Sequence, residues 1–308
     1  EITKSKYSPV SWSGEEQVAV GPTGQYNKIL ADQFAQAMRV LANEVETDIV
    51  TAGANGASRA YGSAGTAPFN TANDLSDFAG VNKILDDNGA PMQDRRLIIN
   101  SAARFNLESK QGILLKVNES GGDDFLRRRI VGQVLGFGIG ITAGSVVHTK
   151  GTGTLYDTDL VTPLAAGATS IHVDTGTGTA VPGDLITFAG DSNIYVVKTG
   201  FPGDNDQDLV LNKPGLLGSL ADGVDVAIGN NYRPNIAFTP NAMVLAARAP
   251  AAPTGGDMAD DATFVVDPVS GLGFEVRLYR EYRRIRYEVA LAWGVGVVKS
   301  EHIALLLG

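Results

Sequence analysis

The last fifth of the chain alternates apolar and polar positions with a period of two. Apolar side chains recur at Phe274, Val276 and Leu278 and again over residues 285–297. Because successive side chains of a strand point to opposite faces, this alternation predicts two long antiparallel strands with one apolar face. We expect the other face to be cationic and solvated, with five arginines between and within the strands: Arg277, Arg280, Arg283, Arg284 and Arg286.

Residues 27–51 follow a longer period, with an apolar residue at every third or fourth position. The stripe consists of Leu30, Phe34, Met38, Leu41, Val45 and Ile49. This spacing places all six on one side of an amphipathic helix, which ends in the glycine-rich stretch 52–65. Shorter helices are predicted at 71–87 and from Ser101 onward, with a buried strand at 96–100 between them.

Residues 150–230 consist of short apolar runs separated by Gly, Asp, Thr and Pro. The runs cover 170–173, 184–188, 194–198, 209–211 and 224–228. Their spacing of about ten residues is typical of a small β-barrel or sandwich. Because the segments on either side have mixed helix and strand character, we interpret this region as an inserted domain.

Three remaining segments carry weaker patterns. Residues 1–20 are polar and extended, and we expect an arm that is flexible or lies on another chain. Residues 130–147 are a glycine-broken β-run, typical of strands with bulges. Thr239-Pro240 predicts the start of a helix that continues to Ala247, followed by an exposed loop at 249–261.

Composition narrows the class of protein. The chain has 308 residues and 44% hydrophobic content, enough for a real core and about two domains, and its 37 glycines favour a strand-rich fold. Its net charge of −9 argues against non-specific binding to nucleic acid. The absence of cysteine excludes disulfides and thiolate metal sites, in agreement with a reducing compartment.

The sequence pattern contains no candidate for a membrane-spanning helix or a signal peptide. No run reaches the roughly 18 apolar residues of a membrane-spanning helix. The chain opens at Glu1 without a charged-then-apolar leader. We therefore expect neither a membrane span nor a signal peptide.

Residues that carry chemistry are sparse and dispersed. His148, His172 and His302 have no metal-ligand spacing, and the glycines of 136–140 do not match a dinucleotide loop. The acidic run 204–208 alternates carboxylates as a calcium loop does, but Leu209 and Gly215 replace the turn glycine and the bidentate glutamate, so we interpret it as a solvated turn. No catalytic, cofactor or metal site is predicted.

A basic run offers a different kind of contact. Arg127, Arg128 and Arg129 follow the acidic pair at 123–124. The run is either a nucleic-acid patch or part of a salt-bridge strip between subunits. We favour the interface, because exposed ion pairs contribute little singly but add up over many identical contacts.

The order of these elements resembles a known family. The segments that carry the resemblance lie at 31–50, 84–91, 95–100, 132–137, 148–151, 168–173, 182–184, 235–242 and 295–299. Together they resemble the major capsid (coat) proteins of tailed bacteriophages, in the short-tailed-phage branch with a telokin-like inserted domain. The fold that this implies is α+β: the Johnson-type phage capsid fold of the Hong Kong ninety-seven type, with a long spine helix, a long β ribbon, an axial α/β domain and an inserted β-barrel.

The resemblance also implies a division of the chain. Residues 1–26 would form the extended loop or arm, 27–71 the peripheral domain with the spine helix, 72–150 and 232–262 the two parts of the axial domain, 151–231 the inserted barrel, and 263–308 the peripheral ribbon and tail.

A structural role in a virion follows from the same resemblance. It implies a subunit that assembles with itself, as hexamers and pentamers, into an icosahedral shell around double-stranded DNA. The partners implied are a scaffolding protein, a portal and, as an option, a decoration protein, with assembly in the host bacterial cytoplasm. Sequence-specific nucleic acid, membrane and cofactors are not expected, and neither is enzymatic activity.

Exposed charged and aromatic residues are the candidate contacts between subunits. They are Lys4, Lys6, Tyr7, Trp12, Arg127, Arg128, Arg129, Arg280, Arg283 and Arg284. Two other functions stay open at this point. One is a β-rich virion accessory protein, such as a decoration or adhesin module, and the other is a hydrolase with a site built from dispersed carboxylates.

Overall fold

The chain divides into two compact units. The computed structural model describes residues 1–21, 25–114, 133–203 and 206–308. Unit 1 contains Glu1–Ile49 and Leu245–Gly296, and unit 2 contains Val50–Val244 and Val297–Gly308. No helix among the described residues is both long enough and apolar enough to cross a membrane.

Four helices and seventeen strands follow one another in these ranges. In chain order they are β1 (Lys4–Ser13), α1 (Gly14–Val20), α2 (Tyr26–Asn55), β2 (Arg59–Tyr61), α3 (Ser76–Asp87), β3 (Arg96–Ile99), α4 (Ser101–Lys110), β4 (Gln133–Val134), β5 (Phe137–Ile141), β6 (Tyr156–Thr158), β7 (Ser170–Asp174), β8 (Leu185–Phe188), β9 (Ile194–Thr199), β10 (Gln207–Leu211), β11 (Asp225–Ile228), β12 (Pro234–Phe238), β13 (Met243–Arg248), β14 (Asp261–Val266), β15 (Gly273–Glu281), β16 (Arg284–Val297) and β17 (Ile303–Leu307).

Unit 1 is an antiparallel sheet with one helix on its apolar face. Its strand order is β1-β16-β15-β14, and β13 also pairs with β16. The predicted ribbon is confirmed as β15 and β16, and the predicted amphipathic helix is confirmed as α2. Apolar residues of α2, such as Leu41 and Val45, pack with Val289, Leu291 and Trp293 of β16 in a single core.

The sheet of unit 2 surrounds a fully buried strand. β17 pairs in parallel with β2 and antiparallel with β12, and all five of its residues are buried. On one side, α3 and α4 contribute Phe78, Leu85 and Leu107 to a core shared with Leu97 and Phe137. β17 is the apolar run at the end of the chain, which the sequence-based division placed together with the ribbon. It forms the centre of unit 2 instead.

The small β-barrel expected between residues 150 and 230 is present. Six strands pair in the order β10-β7-β6-β11-β8-β9, and a further pairing of β10 with β9 closes the ring. Its core contains Tyr156, Ile171, Phe188, Val197 and Leu209. β9 also pairs with β2, so the barrel continues the sheet of unit 2 without a break.

The sequence-based expectation of a helix after Thr239 is wrong. The helix expected from Pro240 to Ala247 is a single 3-10 turn, Pro240–Ala242, followed by strand β13. Met243, Leu245 and Ala247 alternate with period two, which is a strand pattern, and β16 supplies the pairing partner.

The start of the chain is not an arm without a core. It forms β1, which pairs with β16 over ten residues, and then α1, which begins with a capping box between Ser13 and Glu16. Val10 and Trp12, two positions apart, are buried in the unit 1 core. Pairing with a distant strand supplies the order that the local composition does not.

A buried arginine ties the barrel to the rest of unit 2. The guanidinium of Arg59, in β2, lies 3.3 Å from Oδ2 of Asp87 and donates to the carbonyl of Ile84. It also donates to the side-chain amide oxygens of Asn88 and Asn193. The cation therefore faces the carboxyl end of α3, where the helix dipole favours positive charge, and joins α3 to the turn between β8 and β9.

Replacing this cation should destabilise unit 2. We expect Arg59→Ala to lower the free energy of unfolding by about 3 kcal/mol, because it leaves buried acceptors without a donor and opens a cavity. Lys83→Ala removes the exposed partner of the same carboxylate, Asp87, and should cost less than about 1 kcal/mol. Urea unfolding followed by far-UV circular dichroism compares the two, and equal stability of both variants would contradict the assignment.

Candidate assembly surface

The sheet of unit 1 has two outer strands whose edges differ in composition. Among the residues that the structure describes, β14 is the last strand on one side and β1 on the other, and all six residues of β14 are exposed. It contains neither Lys nor Pro, and the exposed fractions of Phe264 and Val266 are 59% and 56%. Natural sheets usually blunt an open edge with such residues, so an apolar edge without them is a candidate site for pairing.

The hydrogen-bond pattern shows which groups of β14 point outward. The N–H of Asp267 donates to the carbonyl of Leu272 at 2.9 Å, in register with the β14–β15 ladder. Bonded pairs recur at every second residue of an antiparallel ladder, so Thr263 and Val265 bond to β15. The N–H and C=O groups of Phe264 and Val266 are therefore directed away from the sheet.

The outward-pointing backbone groups of β1, the strand at the opposite edge, can be identified in the same way. The N–H of Gly14 donates to the carbonyl of Arg283, in register with the β1–β16 ladder. The even-numbered residues of β1 therefore bond to β16, and Ser5 and Tyr7 direct their backbone groups outward. Tyr7 is 59% exposed, and Pro9 has no N–H to offer on this edge.

A groove runs along each of these edges on the side of α2. The groove next to β14 has a volume of about 630 Å³ and is lined by Phe34, Met38, Val265 and Val276 among others. The groove next to β1 has a volume of about 450 Å³ and is lined by Val10, Ile29 and Val40 among others.

The predicted contact residues of β1 mostly point toward α2. Lys4 lies 2.6 Å from Oδ1 of Asp48, and Lys6 lies 2.7 Å from Oε1 of Glu44. Trp12 is only 7% exposed and donates from Nε1 to Gln33 at 2.7 Å. Of the four candidates in this strand, Tyr7 is therefore the one whose side chain points outward and is mostly exposed.

The predicted cationic face of the ribbon is instead largely neutralised. Arg277 forms ion pairs with Asp257 and Glu275, and Arg286 forms ion pairs with Glu281 and Glu288. A hydrogen bond from Tyr279, together with Arg277, holds the pKa of Asp257 below its usual range. The sequence-based expectation fails because it counted the arginines without the acidic residues that lie among them and in the loop before β14.

The remaining candidate arginines lie near the tip of the ribbon. Arg280 pairs with Asp260 at 2.5 Å and faces Ile285 in the ladder, so it lies on the same side as the apolar residues. Arg283 adopts a left-handed turn conformation with φ of 54°, and Arg284 begins β16. The run Arg127, Arg128, Arg129 lies outside the described residues.

His172 and two carboxylates of the barrel form an ion pair cluster. Nε2 of His172 lies 2.9 Å from Asp206, and Nδ1 lies 3.0 Å from Asp208. Since each ring nitrogen faces a carboxylate, this arrangement favours the doubly protonated imidazole and raises the pKa of His172. In the part of the chain that the structure describes, no three His, Asp or Glu side chains are placed to hold a metal ion, and Asp204 lies outside it.

The other two histidines serve local structure. Nε2 of His148 lies 2.9 Å from Oδ1 of the fully buried Asp184, whose carboxylate also accepts from the N–H groups of Gly151 and Val181. Nδ1 of His302 lies 3.3 Å from Oδ1 of Asn241, and burial lowers the pKa of His302.

Protonation of His172 should make the stability of the protein depend on pH. The hydrogen bond to Asp208 raises its pKa above 6.5, so its stabilising effect is fully present below pH 6.5 and is lost as pH rises through the raised pKa. Wild type should therefore exceed His172→Gln in stability at acidic pH and approach it above that pKa. Nuclear magnetic resonance titration of the ring protons gives the pKa directly, and a value of 6.5 or less would contradict the ion pair cluster.

The bond between Asp48 and Trp293 offers a test specific to unit 1. Nε1 of Trp293 donates to Asp48 at 2.8 Å, and both tryptophans of the chain, Trp12 and Trp293, lie in this unit. Asp48→Ala leaves the indole N–H unsatisfied and should lower the free energy of unfolding by about 2 kcal/mol.

Asp48→Asn is the matched control, because its amide oxygen still accepts from Trp293 while the charge that faces Lys4 is lost. It should cost less than about 1 kcal/mol. Urea unfolding followed by tryptophan fluorescence measures both, and equal losses would assign the effect to the ion pair instead of the indole bond.

Comparison with known proteins gives matches only among solved structures. No family model and no curated protein matches the chain. The chain is similar to a structure from Mycobacterium phage Che8 at 14% identity and a TM-score of 0.49, over 98% of this chain and 70% of that one. It is similar to the mature capsid of bacteriophage PhiM1 at 12% identity and a TM-score of 0.48, over 99% of this chain and 71% of that one. It is similar to the capsid of Cyanophage P-SCSP1u at 11% identity and a TM-score of 0.47, over 99% of this chain and 72% of that one.

Proposed function

We propose that this chain is a major capsid protein, a structural subunit that assembles with itself into the icosahedral shell of a tailed bacteriophage. The observation that carries the proposal is the pair of open edges on one sheet, β1 and β14, each beside a groove along α2. The order of elements along the sequence, which resembles phage coat proteins, supports the same function.

Two different open edges on one subunit favour repeated contacts. An edge that meets a different edge on the next copy makes a heterologous contact, and such contacts generate closed rings when the rotation between copies closes. Rings of five and six subunits are the capsomers from which an icosahedral shell is built. In this proposal unit 1 supplies the contacts, and the barrel of unit 2 stiffens each subunit.

The net charge of the chain is consistent with a shell that encloses DNA. The net charge of −9 disfavours tight binding of packaged DNA to the shell, so the genome could enter and leave. A scaffolding protein and a portal are proposed as partners during assembly in the host cytoplasm, and the virion capsid as the final location. No enzymatic step is part of the proposal.

Direct observation of particles tests this function. The purified protein, alone and co-expressed with a phage scaffolding protein, should give closed shells or rings of capsomer size by negative-stain electron microscopy and sedimentation velocity. Small uniform oligomers under both conditions would reject the major capsid role. Dimers or trimers that attach only to preformed phage shells would instead favour an accessory protein.

A further inference from the structure

We propose that β1 of one copy adds to the open edge of β14 in the next copy, so that the unit 1 sheets of neighbouring subunits become continuous. This inference rests on the proposed function and specifies the contact between subunits. The partner is a second copy of this chain, and the recognition is antiparallel strand pairing through backbone groups.

Backbone geometry limits the register. Hydrogen-bonded pairs must join residues whose groups point outward on both strands, which are Ser5 and Tyr7 on β1 and Phe264 and Val266 on β14. Of the registers that this condition allows, we propose the one that pairs Tyr7 with Phe264 and Ser5 with Val266. In the same register Pro9 faces Ala262. Pro9 has no N–H, and the N–H of Ala262 already donates to Oδ1 of Asp261 at 2.8 Å, so neither residue is left with an unpaired donor.

Charge argues against the pairing of β14 with itself. Antiparallel self-pairing centred on Phe264 would place Asp261 of one copy opposite Asp267 of the other, and facing like charges destabilise a sheet. β1 carries Lys4 and Lys6 instead. In the proposed register Lys4, whose ammonium also pairs with Asp48 of its own copy, lies opposite Asp267, so no like charges face each other at this position.

Side chains of the two edges match on both faces of the joined sheet. On the face away from α2, the exposed rings of Tyr7 and Phe264 become direct neighbours, a cross-strand aromatic pair. On the face of α2, Lys6 lies beside Val265, and the two grooves open toward each other. Each edge therefore covers apolar surface that the other leaves exposed.

Cysteine cross-linking tests the register, since the chain contains no cysteine of its own. The double variant Tyr7→Cys/Phe264→Cys should form disulfides between copies on mild oxidation, giving a ladder of covalent oligomers on non-reducing gels. Within one chain these positions lie on edges separated by about 14 Å of sheet, too far for a disulfide. Each single variant has one cysteine and can give only dimers.

A matched control moves one cysteine along the same face. Tyr7→Cys/Val266→Cys places the pair on a diagonal of about 7 to 8 Å, and its yield should fall several-fold. Equal yields in both double variants would overturn the register. Efficient dimers from Phe264→Cys alone would show that β14 pairs with itself and would overturn the proposal.

A backbone variant separates strand pairing from ring contacts. Phe264→Pro removes an outward N–H without removing a bond of the β14–β15 ladder, and it should abolish assembly while tryptophan fluorescence stays native. Phe264→Thr loses the ring but keeps the N–H, and it should retain assembly at a reduced rate. Normal assembly of the proline variant would exclude this edge as the contact.

The outcomes also separate this inference from the proposed function. Shells that form without Tyr7–Phe264 cross-links would overturn the contact and leave the capsid role intact. A protein that forms no shells under any condition would reject the capsid role, whatever the cross-linking result.

Discussion

Helix α2 covers the apolar face of the unit 1 sheet only along its middle. A helix with its side chains is about 10 Å wide, whereas the outer strands of a four-stranded sheet lie about 14 Å apart before their own side chains are added. The core forms where Leu41 and Val45 meet Leu291 and Trp293, and a groove remains along each outer strand. The surface that we propose for assembly follows from this difference in width.

The two edges that result are not equivalent, and the difference gives the proposed contact a direction. β1 carries two lysines and a proline, residues that commonly discourage strand addition. Both lysines form ion pairs with α2, Lys4 with Asp48 and Lys6 with Glu44. β14 contains neither lysine nor proline, but it begins at Asp261 and is followed by Asp267. Each strand therefore disfavours pairing with the same strand of another copy. Proline and lysine disfavour it in β1, and aspartates disfavour it in β14.

Elements whose pattern lies within one stretch of sequence could be predicted from it. The alternation of β15 and β16, the stripe of α2 and the short runs of the barrel each show their period locally. β1 and β13 could not be predicted in the same way, because β16 supplies their pairing partner from another part of the chain. Their period of two is present, at Val10 and Trp12 and at Met243 and Leu245, but each run is too short to decide alone.

The candidate surface was predictable only in part, for the same reason. Tyr7 was identified as an exposed contact, but Trp12 lies in the core, and Phe264 gave no signal beyond a place at the start of the ribbon. A backbone edge is defined by which strands pair and which do not, and composition does not contain that information. The neutralisation of Arg277 depends likewise on a loop residue, Asp257, that folds back onto the ribbon.

The two edges also differ in how the chain forms them. β14, β15 and β16 are consecutive in sequence and pair as a meander, so the β14 edge depends on local contacts. The β1 edge depends on the pairing of Lys4 with Trp293 and its neighbours, which closes a very long loop and is expected to form later. A subunit that has folded only its meander would accept a neighbour at β14 but could not yet offer β1. Under the proposed contact such a subunit stops the growth of a row, so that only fully folded subunits extend it.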